Sequence, residues 1–288
     1  MAFLRISWFR QRRGGRRPEA KGPLHYSTLR HRSDEEWRAA LAKSPAEAAR
    51  WIYAAACGGE SQAMLLWAQI LLDGNGAARD PEAALRWFQI AANAGNVDGA
   101  NMAGRCYECG WGTKPDPAEA ARWFRRAADR GHGWAQYNLG MLVLEGRGTA
   151  RDPRAALSLF VRSARQGNAK AMTMIGLGLE EGWSGRCDPA AARRWYRRAA
   201  RRGCFRGAFH KARLLIVDGR KADAAKWFKA SISAAPPAFC AGMAPSLLAR
   251  PEPEIRALGR QAQLRGKTQA VLSAIMSALM TAGVVVAE

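Results

Sequence analysis

Gly59, Gly95, Gly131, Gly167 and Gly203 stand 36 residues apart each time, and the text between them repeats as well. Residues 79–96 read RDPEAALRWFQIAANAGN, residues 115–132 read PDPAEAARWFRRAADRGH, and residues 151–168 read RDPRAALSLFVRSARQGN. Pro45, Pro81, Pro117, Pro153 and Pro189 keep the same spacing, as do Ala48, Ala84, Ala120, Ala156 and Ala192. A fixed period in the thirties restricts the chain to stacked helical hairpins, because no unit of that length buries its apolar face alone.

Each column has a physical reason. Asp80, Asp116, Asp152 and Asp188 precede the prolines. Aspartate accepts hydrogen bonds from orphan amides as an N-cap, and proline suits the first helical position. That opens a helix, B, in which Ala84, Trp87, Phe88, Ala91 and Ala92 form one inward face. Alanine permits close helix approach, and tryptophan fills the gap between hairpins. Trp87, Trp123 and Trp195 are therefore expected structural residues, with Trp227 in a later, degraded unit. Gly95, Gly131 and Gly167 suit the left-handed residue that closes helix B. A preceding helix, A, runs through segments such as AQYNLGMLVLEG at 135–146. Gly104, Gly140 and Gly176 share one column inside it. An interior glycine costs about 1 kcal/mol against alanine, so its recurrence implies close backbone packing.

These residues resemble the Sel1-like repeat family, within the tetratricopeptide-like helical repeats. The matching pattern is A-x-Y-x-L-G, then G-x-G, then D-P-x-x-A-x-x-W-F-x-x-A-A-x-x-G, and the third unit, Ala135 to Gly167, fits it best, with Leu159 in place of tryptophan and Ser163 in place of the first alanine of the pair. The resemblance implies an all-α fold, a right-handed α-solenoid of helix-turn-helix hairpins, in which helix A lines the concave groove. It also implies a bacterial or eukaryotic interaction scaffold.

The chain divides accordingly. Residues 1–23 are basic and glycine-containing and are expected to form a disordered arm. Residues 24–58 form an atypical N-terminal capping hairpin, opened by the capping box Ser33 to Glu36. Residues 59–203 hold four repeats, and 204–233 a degenerate fifth that lacks the Asp-Pro pair. Residues 234–253 contain five prolines and are expected to be a linker. Residues 254–288 are expected to be helical. Within them, residues 270–287 carry no charge, which leaves a cap helix, a membrane tail anchor or a dimerising helix open.

Catalytic patterns are not found. The histidines at 25, 31, 132 and 210 share no spacing, and no H-E-x-x-H occurs. Cys106 and Cys109 form a lone C-x-x-C without the second pair a zinc site needs. Some members of the resembled family are associated with β-lactam hydrolysis, but no S-x-x-K or K-T-G is present, and Lys267-Thr268-Gln269 departs at its last residue. The phosphate-loop pattern is missing too. The expectation is a non-enzyme with no cofactor, no metal and no small-molecule substrate. It is expected in the cytoplasm, on the irregular cysteines and the short, wrongly charged N-terminal apolar stretch.

Binding is the remaining class. Positions 134, 138, 141 and 145 fall within about 60° of one another around a helix axis, so each A helix presents a stripe. By the resemblance, these stripes face a partner. The candidate groove residues are Gln69, Asp98, Met102, Arg105, Trp134, Asn138, Met141, Lys170, Met174, Arg206, His210 and Arg213. Arginine and lysine can hold carboxylates, while methionine and tryptophan give adaptable apolar contact. The partner expected is an extended or helical protein segment, acidic in character. The net charge of +21, with 36 arginines among 45 cations, keeps an alternative open. The basic arm and arginine-rich B faces (Arg122, Arg125, Arg126, Arg130, and Arg193 to Arg202) could bind nucleic acid or anionic membrane electrostatically.

Overall fold

The computed structural model describes residue 24, residues 26–29 and residues 31–281, with side chains as far as residue 267 except that of residue 28. Residues 1–23, where the basic arm is expected, lie outside the described residues. Among the described residues all regular structure is helical. A short α1 (Tyr26–Leu29) precedes α2 (Asp34–Lys43) and α3 (Pro45–Cys57). The capping box at α2 forms in full, with Ser33 and Glu36 satisfying each other's backbone amides. Five hairpins follow. The A helices are α4 (Ser61–Asp73), α6 (Val97–Cys109), α8 (Gly133–Glu145), α10 (Ala169–Glu181) and α12 (Phe205–Val217). The B helices are α5 (Pro81–Asn93), α7 (Pro117–Asp129), α9 (Pro153–Arg165), α11 (Pro189–Arg201) and α13 (Lys221–Ala234). Helix α14 (Pro237–Leu248) and the long α15 (Pro253–Thr281) end the chain. Each helix from α2 to α12 packs on its successor, which makes an all-α repeat solenoid.

Identical start and stop signals give the repeated helices one length. Helices α4 to α12 have 13 residues each. The aspartates before α5, α7, α9 and α11 each accept a first-turn amide, with proline at the first position. Asn96, His132 and Asn168 cap α6, α8 and α10 in the same way. Gly74, Gly110, Gly146 and Gly182 close the A helices at φ of 73°, 75°, 71° and 73°. No L residue with a side chain adopts that backbone without strain.

The interior glycines mark where A and B helices meet. A Cβ on Gly104 would stand 2.6 Å from the Phe124 ring, one on Gly140 2.7 Å from Phe160, and one on Gly176 2.5 Å from Tyr196. The ring of each B helix thus lies flat on the backbone of its own A helix. The outer hairpins have Ala68 and Ala212 in this column, also fully buried. The turns add a second contact between hairpins. A Cβ on Gly76, Gly112 or Gly148 would meet the carbonyl oxygen of Pro45, Pro81 or Pro117 within 2.3 Å or less. Each turn therefore rests on the first turn of the preceding B helix. At the fourth turn Ser184 takes this place, and Gly185 beside it faces open space.

The tryptophan column is not the centre of the core. Phe88, Phe124, Phe160 and Tyr196 are wholly buried, at 0% exposure. Trp87, Trp123 and Trp195 are half-buried at the cluster margins. The Arg126 guanidinium covers Trp123 at 5.4 Å, and Arg198 covers Trp195 at 4.9 Å. A glycine opposite leaves room for a single ring, and the smaller phenyl takes it; indole is left to bridge core and surface.

Residues 234–253 are not a linker. Pro236 precedes α14, Pro237 occupies its first position, and Pro245 lies inside it. Cys240, Met243, Ala244 and Leu247 recur at helical spacing and are buried in a C-terminal cluster with Phe228, Ile232, Ile255 and Ala262. Proline at the first helical position starts a helix as readily as it ends one, and burial of four side chains outweighs the hydrogen bond Pro245 forfeits. Among the described residues no helix is long and apolar enough to cross a membrane. The segment 270–287 lies in α15 only as far as Thr281, without described side chains, and the rest lies outside the described residues.

Candidate functional site

The A helices carry the candidate groove residues, and the structure treats them unequally. On α8, Trp134 is 51% exposed. Its ring meets Tyr137 edge-on at 6.3 Å, and the Lys170 ammonium of the next A helix lies 5.4 Å above it. On α6, the exposed Asp98 receives His132 at 3.0 Å. The Ala135 amide donates to His132 Nδ1 at 3.0 Å, which leaves the proton on Nε2 to donate to Asp98. That hydrogen bond, against the cost of burial, holds the Asp98 carboxyl below its ordinary range. Asn138 donates to the buried Asn101 at 3.2 Å, tying α8 to α6. Arg105 lies 4.8 Å over Trp111, and Gln69 donates to Asp73 at 2.8 Å on its own helix. Met102 and Met141 rest half-buried against the core clusters.

Three expected groove residues are not available to a partner in that way. Met174 is 7% exposed and belongs to the core. His210 stacks on Tyr196 at 4.7 Å and 10°. Burial, then the positive Arg213, lowers its pKa from 6.5 to about 4, so the ring is neutral. Arg213 donates through Nη2 to both Glu180 oxygens at 2.6 Å, and the Tyr196 hydroxyl donates to the same carboxylate at 2.8 Å. The reason is local. Helix α12 touches α10 directly, through Arg213 and Glu180, and meets α11 through His210 and Tyr196. Arg206, at the start of α12, stays exposed, its guanidinium 5.7 Å and 5.8 Å over Phe205 and Phe239.

Part of the basic B surface is structural. Arg126 donates to the Ala92 carbonyl at 2.9 Å, Arg130 to Gly95 at 2.8 Å, and Arg162 to Ala128 at 3.0 Å. These cations cap the carbonyl ends of the preceding B helices, where the helix dipole is negative. The sequence pattern placed Arg126 and Arg130 in an open positive patch. Their column offers the signal, since Arg130, Gln166 and Arg202 all stand one residue before a closing glycine and all reach the glycine carbonyl one repeat back.

Burial, then the neighbouring Cys109, pushes the Cys106 thiol up to about 12, which leaves no thiolate for attack or metal binding. Among the described residues no group of three or more His, Cys, Asp or Glu side chains is gathered to hold a metal ion.

The Sel1 repeat signature matches residues 61–96, 97–132, 135–168 and 169–204, in step with the hairpins α4–α5, α6–α7, α8–α9 and α10–α11. A protective antigen from uropathogenic Escherichia coli strains displaying an SLR fold is similar over 78% of this chain, at 27% identity and a TM-score of 0.65. This chain spans 50% of that antigen's length. A Sel1 repeat protein from Oxalobacter formigenes is similar over 83% of this chain and 99% of its own, at 23% identity and a TM-score of 0.69, and shares the fold. Among curated proteins no sequence match is found.

Proposed function

We propose that this chain, which belongs to the Sel1 repeat family, is a non-enzymatic adaptor that takes a segment of another protein across its A helices. The repeat generally mediates contact between proteins, and its members are generally scaffolds without enzymatic activity. One observation carries the reading for this chain: Trp134 holds half its surface in solvent on a rigid helix, between the exposed Asp98 and Lys170 of the adjoining A helices. A large indole in water, framed by charges of both signs on preorganised elements, is the make-up of an interface anchor. Met102, Arg105, Asn138 and Met141 extend this face along α6 and α8. Met174, His210 and Arg213 contribute to it only by holding α10, α11 and α12 together.

Affinity capture from cells at about 150 mM and about 500 mM salt tests this reading. Wild type is compared with the double variant Trp134→Ala and Arg105→Ala, with circular dichroism as the check on folding. A protein retained by wild type at both salts and lost by the variant is the expected result. Recovery of only nucleic acid or lipid, washed equally from both forms by salt, would sink the adaptor reading in favour of the basic surface.

A further inference from the structure

A cleft of about 880 Å³ opens where the turns at Gly131, Gly167 and Gly203 lead into α8, α10 and α12. It lies at the N-terminal row of the A helices, away from the positions where α10 and α12 close on one another. Trp134, Tyr137, Phe205 and Pro236 give it apolar walls, and Lys170, Arg202 and Arg206 stand around it. No aspartate or glutamate lines it.

Among the described residues the three cations meet no carboxylate. Lys170 and Arg206 rest on aromatic faces, and Arg202 donates to the Gly167 carbonyl at 3.5 Å. Other cations of this chain do find carboxylates: Arg147 takes Glu108 and Glu145, and Arg213 takes Glu180. Cations without a carboxylate are common on this chain, so what distinguishes the cleft is that its three cations frame apolar walls. Lys170 and Arg206 also occupy the same position one repeat apart, so they mark the cleft at the interval of the repeat.

We propose that the cleft docks an acidic, extended segment of a partner protein, a reading that rests on the adaptor function above. Its carboxylates pair with Lys170, Arg202 and Arg206, and apolar side chains between them lie against Trp134 and Phe205. An extended chain turns alternate side chains to one face, which suits cations set at a regular interval. Phosphate from nucleic acid would meet the same charges. The walls suit bases poorly, however, because Tyr137 is 9% exposed and offers no open ring face for stacking.

The test titrates the full chain into a fluorescently labelled peptide alternating glutamate with leucine, read by anisotropy at about 150 mM salt. Saturable binding is expected, weakened about tenfold or more when glutamine replaces glutamate. Lys170→Gln with Arg206→Gln should weaken it about a hundredfold, taking roughly tenfold for each charge-assisted contact. Arg86→Gln with Arg154→Gln, on exposed B-helix positions elsewhere, should leave it unchanged. Equal binding of the glutamate and glutamine peptides, or indifference to the Lys170 and Arg206 changes, overturns the proposal. So does a duplex oligonucleotide that displaces the peptide through the same two cations at lower concentration. If the peptide fails while Trp134→Ala with Arg105→Ala still releases a cellular partner, the adaptor function stands and only the partner's chemistry is wrong.

Discussion

Replacing Phe124 by alanine should damage the fold more than replacing its larger neighbour Trp123. Phe124 is 0% exposed, and its ring lies on Gly104, which has no side chain with which to fill a void. Helices α6 and α7 are pinned at both ends, by the Asn96 and Asp116 caps and by the turn at Gly110 and Gly112, so they cannot readily collapse onto the space. Truncating a buried phenylalanine costs about 3–5 kcal/mol, towards the upper end where the cavity persists. Trp123 is half-buried at the margin of the core, and one face is covered by the guanidinium of Arg126. Its truncation removes less apolar area from the interior and should cost about 1–2 kcal/mol. Urea unfolding followed by circular dichroism measures both. Because repeat arrays are coupled through neighbouring units, Phe124→Ala should also lower the m-value, as the α6–α7 hairpin melts ahead of the rest. A larger loss for Trp123→Ala than for Phe124→Ala would refute the reasoning and restore the indole to the centre of the core.

Stability should rise with pH between about 4 and 6.5 through His210. The folded ring stays neutral down to about 4, while the unfolded chain takes its proton near 6.5. The unfolded state therefore binds more protons in that window, and stability is full above it and lost on the order of 3 kcal/mol as pH falls through it. The groups facing the ring are Arg213, Glu180 and Arg206, with Tyr196 stacked on it; His210→Phe, which keeps the stack, should flatten the melting temperature between pH of about 7 and about 5. Gly112→Ala places a Cβ 2.1 Å from the Pro81 carbonyl at a φ of 73° and should cost about 2–4 kcal/mol. Gly131→Ala, at a φ of 89° with open space around it, should cost only about 1 kcal/mol, so equal midpoints in urea would remove the inter-hairpin contact from the account. Iodoacetamide at mildly alkaline pH should label the exposed Cys57, Cys109 and Cys187 well before the buried Cys106, Cys204 and Cys240, as read by mass spectrometry of peptides; early labelling of Cys106 would contradict its raised pKa.

What the sequence determined by itself is everything that depends on local chemistry repeated at a fixed interval. The Asp-Pro starts, the left-handed glycine stops and the helical spacing of alanine and aromatic residues define α4 to α11 almost residue by residue, because caps and turns are satisfied within a few positions of the chain. The recurrence of Gly104, Gly140 and Gly176 even signalled that two backbones approach closely. Only the tertiary structure decided which ring they approach, since Trp and Phe are adjacent in sequence and differ only in which way the helix turns them. It also decided that 237–248 is a helix: five prolines are visible one by one, whereas the buried partners of Cys240, Met243 and Leu247 come from α13 and α15. The candidate face divides in the same way. Exposure of Trp134, Lys170 and Arg206 follows from the stripe that each A helix repeats. Burial of Met174, and the engagement of His210 by Tyr196 and of Arg213 by Glu180, follow from how α10, α11 and α12 stack, which no single repeat contains.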